Sequence, residues 1–114
     1  MRAPSTRWQE RIHRIKQELL ALGDMRPGSL SEQYNVCGKP TCRCKAPHHP
    51  RKHGPYYQLS YTHRGKSTTE FVTRDRVAEV RRQLANYARF RRLTEEWVTV
   101  SLRIARRRRR RPEE

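Results

Sequence analysis

Apolar and polar positions alternate along this chain with two different periods. Trp8, Ile12, Ile15, Leu19 and Leu22 are spaced four, three, four, three. That heptad seam predicts a helix over residues 7–22 that packs on another helix. Thr6 stands ready to cap it, Gly23 to stop it as a C′ residue, and Arg26-Pro27-Gly28 to turn the chain afterwards. The period then changes. Residues 29–36 alternate loosely through Leu30, Tyr34 and Val36, which predicts a short strand. Residues 55–62 alternate clearly, with Tyr57, Leu59 and Tyr61 on one face and Gln58 and Ser60 on the other. Residues 67–72 return with Thr69 and Phe71 on one face, and His63-Arg64-Gly65-Lys66 between the two strands reads as a hairpin turn. The tyrosines can pack against a helix or, on a basic sheet, stack on bases.

A helical period resumes after Thr73, a second N-cap, with Asp75 in the first turn where negative charge suits the helix dipole. Val77, Val80, Leu84 and Tyr87 form one seam and Leu93, Trp97, Val100 and Ile104 another, with Phe90 at the change of phase. Nothing breaks this helix before Pro112. The expected fold is α+β: an N-terminal helix, a small antiparallel sheet with a Cys/His loop, and a long C-terminal helix pairing with the first. A helix over 74–111 reaches ~57 Å and one over 7–22 only ~25 Å. The mismatch predicts an overhang. Leu93, Trp97, Val98, Val100, Leu102 and Ile104 would lie on it, and either the helices bend back or this segment is an interface for a second copy of the chain or for a partner protein. The organisation read from these patterns is an arm over 1–5, one helix–sheet–helix domain over 6–105 and a basic tail over 106–114.

Charge narrows the class of partner. Lys and Arg number 27 against 11 Asp and Glu, a formal net charge of +16. Such an excess concerns partners and solubility, and nucleic acid, DNA or RNA, is the first candidate. Arg7, Arg11 and Arg14 form a stripe beside the first seam. Arg81, Arg82, Arg89 and Arg92 lie on the second helix, and Arg106, Arg107, Arg108, Arg109, Arg110 and Arg111 run without a break. These are the residues expected to meet phosphates; solvated faces and a solubilising tail are the plainer alternative. No apolar run approaches the ~20 residues of a membrane span, and the first nine residues lack a signal-type apolar block. The expected setting is cytoplasmic or nucleoid-associated, without a membrane role.

Hydrophobic residues make up only 33% of the chain, so a small core would gain from a metal staple. All three cysteines fall within Cys37-Gly38-Lys39-Pro40-Thr41-Cys42-Arg43-Cys44, and His48, His49 and His53 follow. Three thiols this close cannot all pair with one another, but they can converge on one ion. Cys37, Cys42, Cys44 and His53 make a Cys3His set for a structural Zn2+ in the block 37–53. Cys42 and Cys44 would project to one side of an extended segment. His53 is favoured by the Gly54-Pro55 turn after it, with His48 and His49 as alternatives, and three reduced buried cysteines are the reading without metal.

Gly28-Ser29-Leu30-Ser31, Tyr34, the cysteine block, His53-Gly54-Pro55-Tyr56-Tyr57, Leu59-Ser60-Tyr61, Gly65-Lys66, Val80-Arg81-Arg82-Gln83 and Asn86-Tyr87 form a series. Over about residues 26–97 it resembles a family of small, basic, uncharacterised bacterial proteins often encoded near transposases and other mobile-element genes. The resemblance implies an intracellular bacterial or phage setting and a part in DNA or RNA transactions, with no established activity. The arginine tail and the His48-His49 pair look particular to this chain.

Two functional classes follow. The first is a non-catalytic, zinc-stabilised nucleic-acid-binding accessory protein of a mobile element, holding mainly the phosphate backbone within a larger complex. The second is an assembly subunit or adaptor acting through the C-terminal helix. An enzyme is not expected: Asp24 and Asp75 are far apart in sequence, and the adjacent Glu95 and Glu96 face different ways on a helix.

Overall fold

A computed structural model of the chain describes residues 4–110. The elements in order are helix α1 (Pro4–Leu20), strands β1 (Ser29–Asn35), β2 (His53–His63) and β3 (Lys66–Val72), and helix α2 (Val77–Arg110). The α+β class and the element order agree with the sequence pattern. Helix α1 starts earlier than Thr6 would set it. Proline suits the first helical position because its fixed φ is already helical and its missing N–H has no partner there in any case. The helix also ends earlier: the Leu22 N–H bonds to the Leu19 carbonyl, an unwinding last turn, and Gly23 does not take a positive φ. Just ahead of α2, Thr73 caps the 3-10 turn Arg74–Arg76 through its carbonyl, which accepts the Arg76 N–H at 2.9 Å, and not through its hydroxyl.

The residues divide into two compact units. The sheet unit, Arg26–Leu84, is a three-stranded antiparallel sheet of order β1-β2-β3 and the first two turns of α2. Tyr57, Leu59 and Tyr61 point to one face of β2. Leu30 stands opposite Leu59, and Val72 opposite Tyr57. Leu59, Val72, Val77 and Val80 are buried together, with Leu30, Tyr57, Tyr61 and Leu84 packed around them. The alternation thus resolves as core packing against a helix. Arg26 ties this unit at three points: its guanidinium donates to the Glu70 carboxylate, it lies 6.0 Å over the Tyr61 ring, and its N–H reaches the Gln83 carbonyl. The other face is polar, with Ser60–Thr69, Thr62–Ser67 and Gln33–Gln58 side-chain hydrogen bonds around an exposed Phe71. Arg64 and Gly65, at φ 52° and 79°, make the two-residue hairpin turn that the sequence signals.

The helical unit consists of α1 and α2 from Ala85 onward. Ile15 is fully buried, and Leu93, Val100 and Ile104 are nearly so. Arg11 pairs with Glu96 at 2.6 Å and Arg89 with Glu18 at 2.7 Å, which fixes the two helices antiparallel. The expected overhang is therefore absent at this end. Leu93, Val100 and Ile104 form the inside of the hairpin and not a free interface, while Trp97 is half-buried under Lys16, whose Nζ stands 5.2 Å from the ring. The reason is that the first turns of α2 already pack on the sheet, so α1 pairs with the remainder of α2 up to the arginines. Among the described residues, no helix is long and apolar enough to cross a membrane.

Candidate metal centre and basic surface

Strands β1 and β2 bring the two ends of a long loop together. Asn35 pairs with His53, the first residue of β2, after a bulge between Gln33 and Asn35. Cys37 follows two residues beyond Asn35 and so lies beside His53. Gly54 makes this closure sterically possible. Its φ is 140°, and a Cβ there would sit 2.7 Å from the Gln33 carbonyl oxygen and 3.0 Å from the Tyr34 ring. The Gly54-Pro55 peptide is cis.

The loop carries the other two thiols inward by a tight fold of its backbone. Cys42 N–H bonds to the Lys39 carbonyl, and Arg43–Lys45 form a 3-10 turn with Lys45 N–H on the Cys42 carbonyl. The segment is thus coiled, not extended as expected, and the turn is what lets Cys42 and Cys44 reach one point. Arg51 N–H closes back on the Arg43 carbonyl at 3.0 Å. The ligand atoms of Cys37, Cys42, Cys44 and His53 all lie within 4.8 Å of one another. His48 and His49 are exposed in the loop and stand outside this group.

One separation has the span that a tetrahedral ion would set. Sulfurs each ~2.3 Å from a zinc at tetrahedral angles are about 3.8 Å apart; Cys37 Sγ and Cys44 Sγ are separated by 3.7 Å. Cys42 Sγ lies 3.2 Å from His53 Nε2. The Cys37 N–H donates to Cys44 Sγ at 3.3 Å, a contact that favours a thiolate. Electrostatics among the cluster's own groups separate the three thiols. Cys42 is lowered to about 6, first by backbone hydrogen bonding at Cys44 and then by the neighbouring thiols. Cys37 is lowered chiefly by backbone hydrogen bonding at Lys39. Cys44 is raised: the Cys37 N–H pulls it down, but burial and the two other thiols outweigh that. His53 is raised by Cys37 and Cys42. Four protein donors of this kind, three soft and one borderline, can hold a metal ion.

The arginines expected to meet phosphates fall into two groups. Arg11 and Arg89 are engaged in the ion pairs of the helical hairpin. Arg7, Arg14, Arg81, Arg82, Arg92, Arg106, Arg108, Arg109 and Arg110 are exposed and Arg107 is half-buried. Arg111 lies outside the described residues. Helix α2 continues through Arg106–Arg110, so these side chains radiate around the helix instead of trailing as a loose tail. Residues 97–110 contain no Asp or Glu. Among the described residues, no carboxylate pairs with any arginine of this end. Sequence reasoning missed Arg103, which joins Arg106, Arg107 and Arg110 on one face beside Trp8. Its i, i+3, i+4, i+7 spacing from those residues was the available signal.

A family described as a domain of unknown function (DUF6788) matches residues 5–82 of the chain, which takes in α1, the sheet and the whole Cys/His cluster. No curated protein and no solved structure matches the chain.

Proposed function

Since the chain belongs to the DUF6788 domain family, whose function is unknown, we propose that it is a non-catalytic nucleic-acid-binding protein whose sheet unit is stapled by structural zinc. The observation that carries this reading is the arginine-rich end of α2, helical through Arg110 and unpaired with any carboxylate among the described residues. Closely spaced guanidiniums on one helix repel one another, and a phosphate backbone relieves that repulsion better than water does. Arg7, Arg14, Arg81, Arg82 and Arg92 extend the basic surface. Recognition is by backbone charge and not by base sequence, because phosphate contacts position without reading. The mobile-element setting implied by the sequence resemblance belongs to this reading as the context of a larger complex.

Zinc has a separate role. Cys37, Cys42, Cys44 and His53 would hold it through three sulfurs and one ring nitrogen, and it would supply folding energy without chemistry on a substrate.

The test is salt dependence. Binding to duplex DNA releases condensed counterions, and log affinity falls with log salt by about 0.9 per phosphate neutralised. Contacts to ~6 to 10 phosphates would lose on the order of a thousandfold or more between 50 and 200 mM salt. Ending the chain after Ala105 should flatten the slope and weaken binding equally across sequences. Unchanged slope and affinity would show that this end is not the binding surface.

A second reading, assembly through α2, keeps Val98 and Leu102 of the expected overhang and adds Phe90. Phe90, Val98 and Leu102 lie along one exposed stripe of the helix. Sedimentation that stays monomeric across a hundredfold range of concentration would remove it.

A further inference from the structure

The two tryptophans of the helical unit stand in different surroundings. Trp97 already has a cation over its ring, Lys16. Trp8 has none: among the described residues, the cations over aromatic rings are Lys16 on Trp97 and Arg26 on Tyr61. Instead, Trp8 lines a cleft of about 290 Å³ whose walls, among the described residues, also include Arg103, Arg106, Arg107 and Arg110. The four arginines occupy one face of α2 at i, i+3, i+4 and i+7, so they are near neighbours. No carboxylate among the described residues neutralises them. The cleft is near the lower end of the ~300–1,000 Å³ usual for small-ligand sites. Among the described residues, it combines four guanidiniums, paired with no carboxylate, and an indole that no cation covers.

We infer that this cleft takes one unstacked nucleotide of a single-stranded nucleic acid, its base against Trp8 and its flanking phosphates on Arg103, Arg106, Arg107 and Arg110. The inference rests on the phosphate-binding reading above and adds to it a preference for single strands. Guanidiniums recognise phosphate by paired N–H donors, while an aromatic face accepts any base. A duplex keeps its bases stacked inside and can use only the arginines, so the indole discriminates between the two forms. A base adds contact area that a bare polyanion lacks, and the cleft therefore distinguishes a nucleotide from phosphate alone.

The experiment uses the full chain with Trp97→Phe, which leaves Trp8 as the sole tryptophan. Its emission is followed during titration with a twelve-residue single-stranded homothymidine, with inorganic polyphosphate of matched charge and with a duplex of the same length. Affinities are measured in parallel with labelled DNA for the wild type, Trp8→Leu and Trp8→Phe. The expected result is quenching of Trp8 by the single strand and little by polyphosphate or duplex. Trp8→Leu should weaken single-strand binding roughly five- to a hundredfold, the equivalent of one base–aromatic stack, with the salt slope and duplex affinity unchanged. Trp8→Phe should recover most of that loss, which separates stacking from any loss of helix packing in Trp8→Leu. Equal quenching by polyphosphate, or Trp8→Leu with wild-type affinity for the single strand, would overturn the nucleotide cleft and leave phosphate binding standing. Failure of all three polyanions to bind at low salt would overturn both.

Discussion

At the scale of single residues, the cluster depends on the surroundings of each side chain. Cys42 is lowered to about 6, whereas Cys44 is both raised and buried. A lowered pKa means that the thiolate fraction is complete above that value and is lost as pH falls through it. Alkylation of the metal-free protein should therefore be fastest at Cys42 and level off above about pH 7, while Cys44 should still accelerate toward pH 9. Mass mapping of the alkylated peptides reads both, and bound zinc should suppress all three. Cys44 reacting first would contradict the surroundings described here. Gly54 is the second critical residue. Gly54→Ala forces a Cβ onto the Gln33 carbonyl at a φ that L-residues rarely adopt. The expected cost is about 1–3 kcal/mol, read by denaturant unfolding, with weakened metal retention because His53 is its neighbour. The cysteines and His53 were legible from the sequence because ligand chemistry limits the residue types that can serve. The 3-10 turn that aims Cys42 and Cys44 was not, because no local propensity in Thr41-Cys42-Arg43-Cys44 distinguishes a coil from an extended run.

At the scale of elements, each strand and helix follows from periodicity, and the departures come from partners the pattern does not name. The seam of Leu93, Val100 and Ile104 was legible as apolar; what it faces was not, since the same stripe serves an internal hairpin or an oligomer. The arrangement makes a prediction. Ile15→Ala, at a fully buried position, should cost about 2–5 kcal/mol, whereas Arg11→Met should cost less than about 1 kcal/mol. The Arg11–Glu96 pair is 39% and 37% exposed, and solvent screens such pairs. Thermal or urea unfolding of the two variants compares them directly. A larger loss from Arg11→Met would mean that the ion pair and not the seam holds the helices. The proposed zinc staple belongs to this scale as well. Protein purified under reducing conditions without chelator should carry about one zinc per chain. Cys42→Ser should remove it and raise amide exchange in the β1–β2 loop and the strands beside it more than in α1. Metal analysis that finds no zinc would leave the cluster as three reduced cysteines and a histidine.

At the scale of the whole molecule, a net charge of +16 acts on folding and on binding in opposite directions. Salt screens the self-repulsion of the compact state but also weakens phosphate contacts. From 50 to 500 mM sodium chloride the melting temperature of the free protein should rise while affinity for nucleic acid falls. Parallel melting and binding series check this, and a melting temperature that falls with salt would mean that internal ion pairs outweigh repulsion. The total charge was legible at once, being a count. Its distribution was not: only the fold separates Arg11 and Arg89, spent on carboxylates, from the arginines beside Trp8. One consequence lies in the closure of the chain between Cys37 and His53. Because the first and last ligands sit at the strand ends, a bound ion would clasp the loop at its base, and the span beyond Lys45 would hang outside the clasp. Closing a longer loop adds only about 0.6 kcal/mol for each doubling in length. A foreign peptide spliced between the exposed His48 and His49 should thus leave zinc content and melting temperature nearly unchanged, making this tip a natural place to graft an epitope or a label.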